Sequence, residues 1–102
     1  MINNKEEYIL CAALHYNDGV VYEHQPKNIQ TGIIVAGRRH HNCIITLFSL
    51  KGEKKVDKTK IHQGFLTSKN RYICREEAAL LAFEKGQIDS IIGGCLTSED
   101  LY

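Results

Sequence analysis

Short apolar segments, most of them bounded by turn residues, set the strongest limit on how this chain folds. The longest, residues 8–15 (YILCAALH), is almost continuously apolar, which suits a strand covered on both faces or a short buried helix. Residues 17–19 (NDG) are a turn signal, so we expect residues 20–22 to return as the second strand of a hairpin. Residues 33–35, a β-branched run between glycines, predict a further buried strand.

Two segments carry the pattern of helices. Residues 41–50 place apolar side chains on one broad helical face, and Gly52 follows as a C-terminal glycine. Residues 75–85 have two glutamates in the first turn, where they favour the positive end of the helix dipole. Their N-cap, Cys74, is a poor acceptor compared with Ser or Asp and is the weak point of this helix. The predicted buried stripe comprises Ala78, Leu81 and Ala82.

The remaining segments of the sequence complete the prediction of an α+β fold. Residues 65–73 predict two extended pieces around a turn at residues 68–70, and residues 52–60 predict a charged, solvated connection. Residues 88–92 form a short apolar piece, and the tail 98–102 ends on two apolar residues that we expect to dock on the core or on a neighbour. We therefore predict a small antiparallel sheet packed with two main helices, in a single domain over residues 1–102.

Size and charge restrict the function. A chain of 102 residues builds one modest core, so a ligand site should be shallow or completed by a second subunit, and we expect an oligomer. A net charge of +1 argues against a general nucleic-acid binder, so we expect no DNA partner and only a local anion site. The four cysteines form no CxxC pair, residues 1–7 lack an export pattern, and no apolar run suits a membrane span. We expect a soluble cytoplasmic protein with free thiols.

Residues 36–43 (AGRRHHNC) form the first candidate site, between a predicted strand and a predicted helix. The free N–H groups of a helix start suit phosphate, and Gly37 permits close approach of the backbone. Arg38 and Arg39 add fork-shaped donors, and His40 can donate or accept a hydrogen bond. The alternative is that these are surface charges at the start of a helix.

Residues 63–72 (QGFLTSKNRY) form the second candidate site. Phe65 offers an aromatic wall for a base, and Ser68, Asn70 and Arg71 offer a hydroxyl, an amide and a cation, a mixture that nucleotide pockets need. Each has a structural alternative: Phe65 in the core, Asn70 as a turn residue, and Arg71 paired with a glutamate of the following helix.

Other chemistries lack support in the sequence. His40, His41 and Cys43 are close together but match no zinc spacing, so we predict no metal site. There is no P-loop, no GxGxxG and no zinc-deaminase signature, and we predict no cofactor. A Cys43–His nucleophile is conceivable, but a buried structural cysteine fits an apolar helix better. His15, His24 and His62 have no evident partner and are assigned no role.

Several of these segments resemble the phage-encoded anti-Thoeris family, the first-described type of Thoeris anti-defence protein. The matching runs are YILCAALHYNDG, HQPKNIQTG, AGRRHHNC, QGFLTSKNRY with REEAA two residues later, AFEKGQI and SEDLY. The resemblance covers most of the chain and is weakest around residues 54–60 and 89–97. It carries over to Arg38, Arg39, Phe65, Asn70 and Arg71 as ligand-binding residues.

The resemblance implies a sponge that binds cyclic ADP-ribose isomers made by bacterial TIR-domain defence enzymes and holds them without cleavage. Some members also hold cyclic di- or trinucleotides of CBASS signalling in separate pockets. It further implies homo-oligomers, from dimers to hexamers, with ligand between subunits, acting in the cytoplasm of the infected bacterial host.

Two alternatives remain beside the sponge. One is a small nucleotide hydrolase or phosphodiesterase that uses His40 or His41 as acid and base, which should lose turnover when either is replaced. The other is an oligomeric module that binds a host protein or RNA through its arginines; RNA binding should then weaken steeply with salt.

Overall fold

A four-stranded antiparallel sheet and two helices form the structure, and this confirms the α+β prediction. The computed structural model describes residues 7–90 and 94–97, so the tail 98–102 and the end of the apolar piece 88–92 lie outside it. The sheet order is β2-β1-β3-β4. In chain order the elements are β1 (Ile9–Tyr16), β2 (Ile33–Gly37), α1 (His40–Lys51), β3 (Ile61–Thr67), β4 (Tyr72–Cys74) and α2 (Arg75–Glu84).

The first strand is central, which explains its nearly continuous apolar sequence. β1 pairs with β2 on one side and with β3 on the other. Ala12, Leu14 and Tyr16 are buried in the core cluster that also contains the buried helix residues. Ala13, which points to the opposite face by the alternation of a strand, is also fully buried. The segment is therefore a strand and not the helix that the sequence left open.

The predicted hairpin between residues 8–15 and 20–22 is wrong. The strand that returns beside β1 is β2, with Tyr16 opposite Ile33. The reason is local: the Asp18 carboxylate accepts hydrogen bonds from the Val20 N–H (3.0 Å) and the Tyr22 hydroxyl (2.6 Å). These bonds hold the chain in a compact turn instead of an extended strand, and residues 17–32 become one long loop.

This loop crosses the sheet face that the helices leave open. The Thr31 carbonyl lies 2.8 Å from Nε2 of His15, which is on that face. At the β4 edge of the sheet, the Asn28 side-chain amide accepts a hydrogen bond from the Tyr72 N–H (2.8 Å) and donates one to the Tyr72 carbonyl (2.6 Å). At the β2 edge, Oε1 of Gln25 accepts a hydrogen bond from the Ile34 N–H (2.8 Å). Side-chain amides of the loop thus bond both edge strands, a protection against edge-to-edge pairing.

Both helices pack on the other face of the sheet. α1 lies against β1 and β2, and α2 lies against β1, β3 and β4. α1 ends as predicted at Gly52, whose φ is +85° and whose N–H donates to the Phe48 carbonyl (2.8 Å). Cys74 makes no side-chain capping bond to α2, as its sequence predicts. The buried residues of the two helices are Cys43, Leu47, Ala78, Ala79 and Ala82, with Leu81 partly buried.

The charged connection between α1 and β3 is solvated, as expected. It forms two 3-10 turns, Glu53–Lys55 and Lys58–Lys60, whose side chains are exposed. Val56 between them is buried and joins the core, so the connection is anchored at one apolar point. Within the described ranges, 7–90 and 94–97, no helix is long and apolar enough to cross a membrane.

Candidate functional site

The first predicted site lies where β2 gives way to α1. Arg38 is exposed and directly follows the strand, and Arg39 is the N-cap of the helix. The Arg39 N–H donates to Oδ1 of Asn42 (3.2 Å), so one of the N-terminal donors of this region is already satisfied within the chain. The strand-to-helix position predicted for these arginines is therefore confirmed, whereas their contact with a ligand stays a prediction.

His40 and Phe65 meet inside the chain. Nε2 of His40 lies 2.8 Å from the Gly64 carbonyl, which can only accept, so this nitrogen carries the proton and donates. The imidazole also stands edge-on to the Phe65 ring, with 5.0 Å between centroids. Phe65 is fully buried in the core. The two residues are brought together as packing partners, and the Phe65 ring is closed to a ligand in this arrangement.

Arg71 is held in a two-pronged ion pair. Its Nε and Nη2 each lie 2.8 Å from an oxygen of Glu7, and Nη2 lies 3.4 Å from Glu77. The Thr67 hydroxyl donates to the same Glu7 carboxylate (2.5 Å). The bond from Arg71, then that from Thr67, outweigh burial and lower the pKa of Glu7 to about 2. A phosphate at Arg71 must therefore compete with a charged carboxylate.

Ser68 and Asn70 form the turn between β3 and β4. The Ser68 hydroxyl accepts from the Tyr8 N–H (3.0 Å), and the Ser68 N–H donates to the Tyr8 carbonyl (2.9 Å). Asn70 has a φ of +60°, the left-handed conformation that asparagine tolerates. Both residues thus have a structural role, and for Asn70 it is the turn position that the sequence offers as an alternative to a ligand contact.

The two predicted stretches lie at the same end of the sheet but at opposite edges. Gly37 of β2 pairs with Ala12 of β1, which pairs with Phe65 of β3. Phe65 in turn pairs with Ile73 of β4. Three strand spacings of about 4.8 Å therefore separate Arg38 from the start of β4, roughly 14 Å. We call Arg38, Arg39, Asn70 and Arg71 the arginine end. Within one chain the backbones of its two halves are therefore far apart, and Arg71 is directed to Glu7.

Cys43, the thiol of α1, is part of the core. Cys43 is fully buried and its Sγ contacts the Ala12 carbonyl (3.7 Å). Burial, with a smaller effect of Cys11, raises the pKa of Cys43 to about 11, so the thiol stays protonated near neutral pH. Cys43 is the buried structural cysteine that the sequence favours. In the part of the chain that the structure describes, no three His, Cys, Asp or Glu residues are placed to hold a metal.

A cleft that the sequence did not indicate opens near the other end of the sheet. It has a volume of about 700 Å³, within the range of small-molecule sites, and is open to solvent. It runs along β3 and the start of α2, and we call it the histidine cleft. Its principal lining residues are His15, His62, Gln63, Tyr72, Arg75 and Glu76.

Sequence reasoning missed this cleft because strand register creates it. His15 and His62 are far apart in the chain and become neighbours only when β1 pairs with β3. The His15 ring lies 6.2 Å from that of His62 and 5.5 Å from that of Tyr72, between centroids. The alternation of each strand was the one available signal, since it places His15 and His62 on the open face once a register is assumed.

Comparison with known proteins places the chain in a phage family. Residues 8–102 match the family model described as the phage T4 y16D protein. No curated protein and no solved structure matches the chain. Because the family match extends over nearly the whole sequence, this chain belongs to the phage T4 y16D protein family.

Proposed function

We propose that this protein is a non-catalytic sponge that sequesters cyclic ADP-ribose isomers and so blocks Thoeris immunity. The anti-Thoeris resemblance supplies the ligand class, and membership of a phage family agrees with an anti-defence role. The protein would act in the cytoplasm of the infected host, as a homo-oligomer with ligand between subunits.

The observation that carries the proposal is the position of the arginine end. Arg38 and Arg39 stand at one edge of the sheet, and Asn70 and Arg71 stand at the other edge of the same end. One chain presents two arginine-containing half-sites about 14 Å apart, and in one of them a ligand must displace Glu7 from Arg71. An assembly that places half-sites of two subunits together would complete a pocket for a pyrophosphate, which agrees with the shallow site expected from chain length.

The environment of His40 restricts how a hydrolase could use it. Its Nε2 donates to the Gly64 carbonyl, and its ring packs against buried Phe65. A general base must present an unprotonated nitrogen to the substrate, so only Nδ1 of this ring is left for that role. The hydrolase alternative therefore depends on Nδ1 of His40 or on His41, which is exposed on α1.

Capture and release test this proposal. The purified protein is mixed with cyclic ADP-ribose isomers, freed of unbound ligand and examined by native mass spectrometry, then heated so that the supernatant can be assayed. We expect an oligomer that carries intact ligand and releases it unchanged. Recovery of linear ADP-ribose would contradict sequestration, and turnover lost in His40→Gln and His41→Gln would establish the hydrolase. Cyclic trinucleotides added in the same way test the wider ligand range.

A further inference from the structure

We infer that the histidine cleft binds the adenine of a nucleotide, with its phosphate at Arg75. This goes beyond the proposed function, because the cleft is a nucleotide site separate from the pyrophosphate pocket proposed at the arginine end. None of the cleft residues belongs to the arginine end, so the two sites are separable by mutation.

Three rings form one wall of the cleft. The centroid of His15 lies 5.5 Å from that of Tyr72 and 6.2 Å from that of His62. Tyr72 is fixed because its hydroxyl donates to the His62 carbonyl (3.1 Å), and burial raises its pKa well above the usual range. His15 is fixed by the Thr31 carbonyl. The rings of His62 and Tyr72 are tilted to that of His15 by 44° and 60°, so a planar base stacks on one ring, and His62 is the exposed one.

The edge of β3 supplies hydrogen-bonding groups beside these rings. The pairs between β3 and β4 end at Gly64 and Cys74, because the chain turns into α2 at Arg75. The Thr67 N–H donates to the Arg71 carbonyl (2.9 Å) and so points away from β1, towards the β4 side of β3. Backbone groups two residues apart along a strand point the same way. The N–H and C=O of Gln63 therefore face the cleft side beyond the end of β4. Adenine presents a matching acceptor and donor, N7 and the N6 amino group.

The charged side chains at the start of α2 indicate which groups besides the base the ligand carries. Arg75 Nε donates to the Leu96 carbonyl (3.0 Å), which anchors the guanidinium; in the described ranges its terminal amino groups bond no residue. Bonds from its own N–H, then from the Cys74 thiol, lower the pKa of the neighbouring Glu76. A charged carboxylate accepts from ribose hydroxyls but repels a polyanion. The cleft thus fits a base, a sugar and one phosphate better than an extended nucleic acid.

Adenosine monophosphate and adenosine are the probes, titrated into the full ¹⁵N-labelled protein and followed by amide chemical shifts. We expect the amides of His62, Gln63 and Arg75 to shift more than those of Arg38 and Arg39. AMP should bind more tightly than adenosine. Shifts confined to the arginine end, or no binding of either probe, would overturn the inference.

Variants separate the roles of base and phosphate. His62→Ala should weaken both probes about tenfold by loss of stacking, while His24→Asn, an exposed histidine outside the cleft, should change neither; asparagine retains its φ of +61°. Arg75→Gln should abolish the preference for AMP and leave adenosine binding unchanged, a pattern that partial unfolding does not produce. An AMP preference retained in Arg75→Gln would refute the phosphate assignment.

Competition with a cyclic ADP-ribose isomer distinguishes this inference from the proposed function. If the cyclic signal displaces AMP from the cleft, both are supported. If AMP binds the cleft and the cyclic signal does not bind the protein, the sponge proposal fails and the cleft assignment stands. If the cyclic signal binds the protein while AMP causes no cleft shifts, the cleft assignment fails and the sponge proposal stands.

Discussion

Glu7→Gln is the change that tests most directly how the arginine end is built. Glu7 receives two bonds from Arg71 and one from the Thr67 hydroxyl, and its side chain is 13% exposed. The amide of glutamine preserves the size of the side chain but removes the charge. If Arg71 is held in place by this pair, the substitution lowers the free energy of unfolding.

The magnitude follows from the pKa of Glu7. Its change from 4.5 to about 2 corresponds to at most ~3.5 kcal/mol of stability, at about 1.4 kcal/mol per pH unit. Solvent screens the pair because Arg71 is 34% exposed, so we expect a loss of about 2 kcal/mol. Since the folded-state pKa lies below the unfolded value, this stability is fully present above about pH 5 and disappears as the pH falls towards 2.

Urea unfolding followed by far-UV circular dichroism measures this effect. The difference between wild type and Glu7→Gln should be about 2 kcal/mol at pH 7 and less than half of that at pH 3. Glu77→Gln is the matched control, because Glu77 contacts the same arginine at 3.4 Å with a side chain 52% exposed; it should cost under about 0.5 kcal/mol. Equal losses in the two variants, or a difference independent of pH, would refute this reasoning.

Other substitutions test the core and the thiols. Leu47→Ala, at a fully buried position, should cost about 2–5 kcal/mol in urea unfolding, while exposed Ile45→Ala should cost about 0.5 or less. Gly64→Ala would place its methyl against the backbone carbonyl oxygen of Ile73 and 2.6 Å from the Tyr72 ring, so we expect a lower melting temperature and a cost of about 3 kcal/mol or more. With a thiol reagent at pH 7, peptide mass spectrometry should find Cys74 labelled and buried Cys43 unlabelled until unfolding; early labelling of Cys43 would contradict its burial.

The local pattern determined the elements whose signals are contained within a few residues. The β-branched run before Gly37, the glycine that ends α1 and the acidic first turn of α2 each act through neighbouring backbone groups, and these elements form where the sequence predicts them. The weak N-cap at Cys74 is also a local property, and in the structure its side chain makes no capping hydrogen bond. Such signals survive folding because they need no distant partner.

Tertiary structure decided the strand pairing and the surroundings of the candidate residues. The NDG turn favours a tight hairpin locally, but β2 is the partner of β1, and the Asp18 bonds leave residues 20–22 outside the sheet. Similarly, the sequence does not show which residue pairs with Arg71. Its partner is Glu7, 64 residues away, and only the tertiary structure brings the two together.

The sequence alone thus determined the class of fold and the positions of both helices, since composition and local periodicity specify these. Only the tertiary structure placed Phe65 in the core, separated the arginine end into two halves and brought His15 beside His62. The physical reason is register: which residues of distant strands lie opposite each other depends on how the whole apolar face is buried, and no single segment contains that information.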